Sequence, residues 1–393
     1  MEKIRVGIIG SQFSANIHAN AYCHVRNIPV EIVAVAGKDT ANTQEFAQKY
    51  AIPHIYQDYQ DLIDNEQVDV VDVCVPNFLH ADVIIAAARK GIRNIVCEKP
   101  LTGSFGKCIK DFSSPAAFAE DAFSTAMRTV DQVLTTVREC GVKLMYAENW
   151  VYAPPIMKAK RLLTVSGGTI LDMRAEESHS GSHASYTKRL DTAGGGAMLV
   201  LGSHPVSAVI HMKAFESQLK GLTKVRVRSV MADMTQLPRF GRGKEQTDYL
   251  VTDWVDVETW GNAVLTFDDG TKAVVNVSFA VLGGVKNILD IYSTNSVIKC
   301  NMTPNDTLTV YAPDPGIFQG EYLAEKQETT AGWSNINADE DWMRGYPQEM
   351  QDFMECIYEG REPISDGFLA RDAIEVIYAA YLSSTTGRRV DLH

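Results

Sequence analysis

The stretch Asn94-Ile95-Val96-Cys97-Glu98-Lys99-Pro100-Leu101 indicates how the first half of this chain folds. An apolar strand ends here in a carboxylate, a lysine and a proline. It closes a series of alternating strand-like and helix-like segments, which is typical of a parallel sheet with helices on both faces. Ligands of such sheets bind just beyond the carboxyl ends of the strands. Lys99 would therefore face the ligand, although an ordinary surface lysine at a strand end fits the local sequence as well.

The first strand of the series, Ile4–Ile9, leads into a turn with the context of a dinucleotide-binding loop, because a helix follows it. Gly10 supplies the tight turn and Ala15 is an allowed third position, but Gln12 replaces the glycine that lets the backbone approach a pyrophosphate. A turn that binds nothing would look similar. The residues predicted to form the loop are Gly10, Ser11, Gln12, Phe13, Ser14 and Ala15.

The second strand, Val30–Ala36, ends where an acidic residue normally holds the ribose diol of NAD. Gly37 occupies the most suitable position, and Lys38 follows it. A cation without a carboxylate suits a 2′-phosphate, so the turn slightly favours NADP over NAD. Asp39 is close enough to keep NAD possible, and Lys38 could equally be a solvated turn lysine.

Further strands and helices extend this pattern to a sixth strand that ends at Ala147. We therefore expect an N-terminal Rossmann domain, a doubly wound parallel sheet, over residues 1–149. An insertion at about residues 102–129 interrupts it with a glycine-rich loop and the start of a long helix. A lid over the site, a subunit contact and a neutral insertion all fit this segment.

Composition narrows the class of protein. A chain of 393 residues with 45% hydrophobic residues predicts two globular domains. The net charge of −12 and the lack of a basic block argue against nucleic acid or an anionic membrane as partner, and no apolar run approaches the ~20 residues of a membrane span. Seven scattered cysteines without a Cys-x-x-Cys motif, and a strand that starts without a preceding secretory signal, predict a cytoplasmic protein.

Residues 150–393 are expected to form the second domain. From Thr223 onward several segments alternate apolar and polar residues, and Asp268-Asp269-Gly270 is typical of a hairpin turn. This pattern predicts a C-terminal α+β domain with a large open, mostly antiparallel sheet. Pro313 to Asp341 has no clear periodicity and is interpreted as irregular.

Three motifs together resemble the Gfo/Idh/MocA family of oxidoreductases. They are Glu98-Lys99-Pro100, Pro76-Asn77 with His80, and a triple glycine at 194–196 followed by Gly202-Ser203-His204. The resemblance implies hydride transfer between a nicotinamide cofactor, NAD or NADP, and a carbinol carbon of a sugar or cyclitol. It also implies a homodimer or homotetramer formed through the C-terminal sheet. Besides the loop, the predicted cofactor contacts are Gly37, Lys38, Pro76, Asn77, His80, Glu98 and Lys99.

The predicted catalytic residues are Lys99 and His204, the second by its match to the family motif. Oxidation of an alcohol needs a base for the hydroxyl proton, for which imidazole is suited. A nearby ammonium would stabilise the developing alkoxide. Family members usually carry an aspartate four residues before the histidine, where this chain has Val200. Three carboxylates could replace it: Glu98, Glu148 and Glu177.

Substrate contacts are expected from Lys99, His204 and Glu148, and from aromatic or imidazole side chains. Trp150 and Tyr152 could either stack on a sugar ring or pack in the core. His179 and His183 could either form hydrogen bonds to the substrate or lie on the surface. No metal site is predicted, because Gly181 interrupts the spacing of the histidines and no fourth ligand is evident.

The sequence is compatible with three functions. The first is an NAD(P)-dependent dehydrogenase of a sugar, glycoside or cyclitol. The second is an enzyme that cleaves a glycoside through a transient keto-sugar while its cofactor is recycled. The third is a non-catalytic regulator that binds nucleotide and sugar, which Val200 favours and the retained Lys99 and His204 oppose.

Overall fold

The N-terminal half is a parallel sheet with helices on both faces. The computed structural model describes residues 2–106, 114–238, 249–304 and 307–392. Six strands run parallel in the order β3-β2-β1-β4-β5-β6, as the sequence predicted for a doubly wound sheet. The strands are β1 (Ile4–Ile9), β2 (Val30–Ala36), β3 (His54–Tyr56), β4 (Val70–Val73), β5 (Asn94–Glu98) and β6 (Lys143–Ala147). The helices are α1 (Phe13–Tyr22), α2 (Thr40–Lys49), α3 (Tyr59–Asn65), α4 (His80–Lys90) and α5 (Pro115–Glu139).

Local chemistry sets the boundaries of these elements. The central strands β4 and β5 are buried almost throughout, because helices cover both faces of the sheet. Asp39 caps α2 through the N–H of Asn42, and Ser114 caps α5 in the same way. Gly91 ends α4 in the left-handed conformation, at a φ of 98°.

The C-terminal half is built on a seven-stranded sheet in the order β12-β11-β7-β10-β9-β8-β15. Only β7 and β10 pair in parallel, so the sheet is mostly antiparallel, as predicted. Its strands are β7 (Ile170–Ser178), β8 (Val227–Thr235), β9 (Trp260–Phe267), β10 (Lys272–Ser278), β11 (Lys286–Ser293), β12 (Val297–Asn301) and β15 (Val390–Asp391). A separate hairpin pairs β13 (Leu308–Ala312) with β14 (Gly332–Ile336). The interpretation of Pro313 to Asp341 as irregular missed β14, which lies inside that segment.

Helices cover the inner face of this sheet and return to the first domain. They are α6 (Pro154–Ser166), α7 (Leu190–Ala193), α8 (Ala197–Val200), α9 (Ser203–Leu219), α10 (Glu340–Arg344), α11 (Tyr346–Glu359) and α12 (Gly367–Thr386). The α9 helix packs against β7, while α11 packs on α1 and α12 on α5. Among the described residues no single helix is long and apolar enough to cross a membrane, and one bent pair, residues 190–200 with 203–219, meets the length and composition requirement.

The beginning of the predicted insertion lies between the two domains. Thr102 and Ser104 are buried, and the backbone N–H of Ser104 donates to the hydroxyl of Tyr378. A Cβ on Gly103 would lie 2.8 Å from the same hydroxyl, so only glycine fits without a shift. Residues 107–113 of the insertion lie outside the described residues. The long helix that follows is α5, which leads back to β6.

Candidate active site

The turn after β1 leaves the N-terminus of α1 available to an anion. Gly10 has a φ of +118°, and a Cβ there would lie 2.2 Å from the carbonyl oxygen of Cys74. No side chain caps α1 at Gln12, and Phe13 is 64% exposed, whereas Ala15 is fully buried. Free N–H groups and the helix dipole at such a terminus attract phosphate. The predicted loop therefore fits the pyrophosphate of a dinucleotide.

The end of β2 leaves no room for the acidic residue that would hold a ribose diol. A Cβ on Gly37 would lie 2.3 Å from Oγ1 of Thr43. The Ser11 hydroxyl donates to Oδ1 of Asn42 at 2.7 Å, which closes the space from the other side. Lys38 is exposed beside this turn, and Asp39 accepts the N–H of Asn42 at 3.1 Å as the cap of α2.

The residues after β4 connect the two domains. Asn77 Nδ2 donates to the carbonyl of Ala193 at 2.7 Å, and in the part of the chain that the structure describes its buried Oδ1 has no hydrogen-bond partner. His80 lies 2.8 Å from two carbonyl oxygens, those of Val75 and Pro100. Burial lowers the pKa of His80, so the neutral ring carries one N–H and donates to one of them at a time. His80 thus joins the β4 and β5 turns, and Pro76 lies half-buried in the first of them.

Lys99 and His204 lie at the carboxyl edge of the parallel sheet, as the sequence placed them. Lys99 follows β5, precedes Pro100 through a cis peptide bond, and donates from Nζ to the carbonyl of Val200 at 3.3 Å. His204 lies in the first turn of α9, with Nδ1 2.6 Å from Oε1 of Glu148. Its ring stacks on Trp150, with centroids 5.7 Å apart and planes 8° apart. This stacking and the Glu148 contact fix the orientation of the imidazole.

The structure separates the three carboxylates that could replace the missing aspartate. Glu148 is fully buried and contacts His204 Nδ1 directly. Glu177 lies near the end of β7, with Oε2 3.9 Å from His204 Nε2 and no hydrogen bond to that oxygen. Burial raises the pKa of Glu177 although His204 and Lys99 act against this. Glu98 turns towards His18 instead. Glu148 and Glu177 therefore approach His204 on opposite sides of its ring.

A buried charge network lies behind Lys99, and no sequence motif indicated it. His18 Nδ1 donates to Asp72 at 2.9 Å, and Nε2 lies 3.2 Å from Oε1 of Glu98, outside good hydrogen-bond geometry. Burial opposes protonation of His18, but Asp72 and Cys74 outweigh it and raise the pKa well above the ordinary value. Burial also opposes ionisation of Glu98, yet the contact with His18 lowers its pKa to about 2.

This network reaches Lys99 through the backbone. Oε2 of Glu98 accepts the N–H of Lys99 at 2.9 Å. At the other end, the Tyr22 hydroxyl donates to Asp72 at 3.0 Å, and Cys74 Sγ lies 3.4 Å from His18 Nδ1. An imidazolium between two carboxylates thus holds Glu98, and Glu98 in turn fixes the backbone from which Lys99 extends.

The remaining predicted substrate residues differ in position. His179 accepts the N–H of Gly181 at 3.0 Å, and burial lowers its pKa to about 3, so its ring is neutral. His183 is exposed, with no hydrogen bond to other described residues. Tyr152 lies in the core, where its hydroxyl donates to Asp352 at 2.9 Å. The structure therefore gathers Trp150, Glu148, Lys99 and His204 in one cluster, and leaves His183 and Tyr152 outside it.

Arg344 belongs to the surroundings of this cluster and was not predicted. It ends α10, is buried, and pairs with Glu325 at 2.6 Å and with Glu340 at 3.0 Å. Its carbonyl accepts Nδ2 of Asn149 at 3.0 Å, and its charge acts on Glu177. The available signal was the i,i+4 spacing of Glu340 and Arg344, which is typical of a helical ion pair.

Known proteins resemble this chain along most of its length. D-xylose 1-dehydrogenase (NADP(+)) 2 of Haloferax volcanii is 25% identical over 363 residues, which are 92% of each chain. Levoglucosan dehydrogenase of Pseudarthrobacter phenanthrenivorans is 25% identical and covers 81% of this chain and 79% of its own. Among solved structures, GenD2 from gentamicin A biosynthesis in complex with NAD has a TM-score of 0.79 at 22% identity, covering 100% of this chain and 97% of its own. A levoglucosan dehydrogenase in complex with NADH and L-sorbose has a TM-score of 0.73 at 20% identity and covers 100% of both chains.

Family profiles match both halves of the molecule. Residues 4–112 match the oxidoreductase family with an NAD-binding Rossmann fold, GFO_IDH_MocA. Residues 157–299 match the GFO/IDH/MocA C-terminal domain. Together the two matches cover well over half of the chain, in the order and at the positions of the two domains described above. The chain therefore belongs to the Gfo/Idh/MocA family of oxidoreductases.

Proposed function

We propose that this protein is an NAD(P)-dependent dehydrogenase that acts on a carbinol or ketone carbon of a sugar, glycoside or cyclitol. The observation that carries the proposal is the buried His204, held by Glu148 at 2.6 Å beside Lys99 at the edge of the parallel sheet. Relatives named as dehydrogenases of D-xylose and levoglucosan support the substrate class.

A dinucleotide would be held by residues that already form a fitting cradle. The turn at Gly10 and the uncapped start of α1 suit the pyrophosphate, and the unpartnered Oδ1 of Asn77 offers a buried acceptor near the carboxyl edge of the sheet. The bound nicotinamide would supply or accept the hydride at the substrate carbon. Every proton step then falls to side chains of this chain.

His204 is arranged to act as the base for the substrate hydroxyl. Its Nδ1–H donates to Glu148, so Nε2 carries the lone pair that takes the proton. The negative charge of Glu148 stabilises the imidazolium that forms. Lys99 stabilises the developing alkoxide. His204 Nε2 and Glu177 Oε2 lie 3.9 Å apart, too far for a hydrogen bond with each other, so a substrate hydroxyl placed to one side of the pair can reach both atoms.

The test is reduction of NAD or NADP, followed by absorbance, with a panel of sugars, glycosides and cyclitols. Lys99→Ala and His204→Ala should each lower kcat by about 10²-fold or more, since each removes a group that acts on the transition state. Lys90→Ala and His24→Ala, on the surface, are the matched controls and should keep wild-type activity. A protein with no turnover on any candidate, whose cofactor binding responds to sugar, would be a regulator instead.

We further propose that NADP is preferred. Lys38 is exposed beside Gly37, where no carboxylate can be placed without moving Thr43. Lys38→Ala should weaken NADP binding about tenfold, the size of one charged hydrogen bond, and leave NAD unchanged. Fluorescence titration of both cofactors measures this, with Lys3→Ala as control. Equal weakening of NADP and NAD would contradict the assignment.

The raised pKa of Glu177 supports a second candidate function, cleavage of a glycoside through a transient keto-sugar. Burial raises the pKa of Glu177 and so favours the protonated carboxyl, which is the form that can donate a proton to a leaving glycosidic oxygen. The readout is release of the free sugar without net change in reduced cofactor. Stoichiometric accumulation of reduced cofactor would reject this candidate and keep the dehydrogenase.

A further inference from the structure

A cavity of about 210 Å³ has neither His204 nor Lys99 in its lining. The segment before β11, the segment 324–329 and the strand β14 enclose it. Ligand pockets for drug-sized molecules are larger, ~300–1,000 Å³. The space therefore suits one ring of a larger ligand. Its walls include Gly284, Val285, Glu325, Gln327, Trp333 and Asn337.

Two amide side chains of this wall have buried polar atoms without a hydrogen-bond partner among the described residues. Gln327 donates from Nε2 to the carbonyl of Asn335 at 3.1 Å, which leaves its buried Oε1 unpaired. Asn337 accepts the N–H of Asp339 at 3.1 Å, which leaves its buried Nδ2 unpaired. A buried polar atom without a partner is unfavourable, so a ligand that pairs with it gains affinity. Oε1 of Gln327 is thus a free acceptor and Nδ2 of Asn337 a free donor. Each is held in place by the hydrogen bond at the other end of its amide. An acceptor and a donor of this kind can bind a hydroxyl.

Trp333 adds an aromatic surface to the same cavity. It is 75% exposed, and Tyr311 supports its ring at a centroid distance of 5.4 Å. A large exposed aromatic residue held by a neighbour presents a rigid apolar face to a ligand. The charged residues that line the cavity are Glu325, Glu328 and Glu340, and within the described chain no lysine, arginine or histidine lines it. This lining suits a neutral polyol and disfavours a phosphate or a carboxylate.

The cavity wall is connected to the catalytic cluster on two sides. Glu325 pairs with Arg344, whose carbonyl accepts from Asn149, the residue between Glu148 and Trp150. On the other side, the N–H of Val281 donates to the carbonyl of His179 at 3.3 Å, two residues before the wall begins at Gly283. The cavity thus lies on the His179 side of the cluster.

We propose that this cavity is a subsite for a second, neutral sugar ring, so that the substrate is a disaccharide or a glycoside with a sugar-like aglycone. The proposal rests on the proposed dehydrogenase function for the ring that is oxidised. Trp333 would stack on the second ring, while Gln327 and Asn337 would bind its hydroxyls.

Kinetics with matched pairs of a monosaccharide and its disaccharides test the proposal. We expect kcat/KM to be at least tenfold higher for one disaccharide than for its monosaccharide. Trp333→Ala and Asn337→Ala should each remove most of that difference and leave monosaccharide turnover unchanged. Phe368→Ala, an exposed aromatic residue on α12, is the control and should change neither substrate.

Failures of the subsite and of the dehydrogenase are distinguishable. Equal kcat/KM for each pair, unaffected by Trp333→Ala, would overturn the subsite and leave the dehydrogenase standing. If no sugar is turned over, calorimetry with the same disaccharides measures binding directly. Disaccharide binding that Trp333→Ala weakens would support the subsite, and binding that it does not weaken, or no binding at all, would overturn it.

Discussion

At His204 the carboxylate comes from the end of β6, while the position four residues before the histidine contributes only its main chain. The carbonyl of Val200 accepts the ammonium of Lys99 at 3.3 Å, and Glu148 holds the imidazole. The contacts of Lys99 and His204 are thus divided between a backbone carbonyl and a glutamate from the first domain.

Glu148→Gln tests this division of roles. The amide would keep the size of the side chain but remove the charge that stabilises imidazolium, and its N–H₂ can fix the wrong tautomer. We expect kcat to fall by about 10²–10⁴-fold with KM little changed. Steady-state kinetics on the best sugar of the panel measure the effect. Glu176→Gln, one residue before Glu177 and paired with Lys286 on the sheet surface, is the control. An unchanged kcat in Glu148→Gln would remove Glu148 from the catalytic arrangement.

On the scale of elements, α11 brings an unpaired carboxyl group into the interior. Glu349 is fully buried in the first turn of α11, and neither of its oxygens has a hydrogen-bond partner among the described residues. Burial raises its pKa well above the ordinary value, although the charge of His18 acts against this. Folding therefore favours the neutral form of this group, at the contact of α11 with α1.

Glu349→Gln should raise the free energy of unfolding at neutral pH. A carboxyl with a raised folded-state pKa binds its proton more tightly in the folded than in the unfolded chain. Wild-type stability therefore falls as pH rises above ~4.3, the ordinary pKa of glutamate, and the variant lacks this loss. Denaturant unfolding at several pH values should show the difference growing with pH. Glu362→Gln, on the surface, serves as control, and a difference independent of pH would contradict the expectation.

The sequence predicted most elements because their signals are local. β-branched runs, glycine at helix ends and Ser114-Pro115 lie within the segments that they define. The parallel pairing of β7 with β10 has no such signal, because an alternating strand reads the same for either partner direction. The His18–Asp72 contact joins residues 54 positions apart, so only the folded sheet reveals it. The sequence names Glu148 as a candidate, but only the folded structure shows that Glu148 contacts His204 whereas Glu98 faces His18.

On the scale of the whole molecule, the outer face of the C-terminal sheet carries a row of three apolar side chains. Met231, Val264 and Val274 lie opposite one another on β8, β9 and β10. Met231 is 40% exposed, and the two valines are half-buried, while the helices cover the other face. An apolar row on a broad sheet favours a second copy of this chain as its cover.

Val274→Lys should reduce the mass of the particle in solution to that of the monomer. A lysine at this end of the row, beside Arg174 of β7, would place an additional positive charge in the contact between copies. Light scattering after size exclusion measures the mass, and Val165→Lys, on an exposed valine at the end of α6, is the control. If the wild type is an oligomer and Val274→Lys keeps its mass, the contact lies on another surface.

The return of the last helices to the first domain has a consequence for synthesis on the ribosome. The edge of β6 is completed by a bond from the N–H of Tyr146 to the carbonyl of Ser365, and Arg371 of α12 pairs with Asp131 of α5. The nucleotide domain is translated before α11 and α12, which cover α1 and α5. The nascent chain therefore carries an unfinished first domain until α12 has left the ribosome, and the apolar faces of that domain need shielding until then.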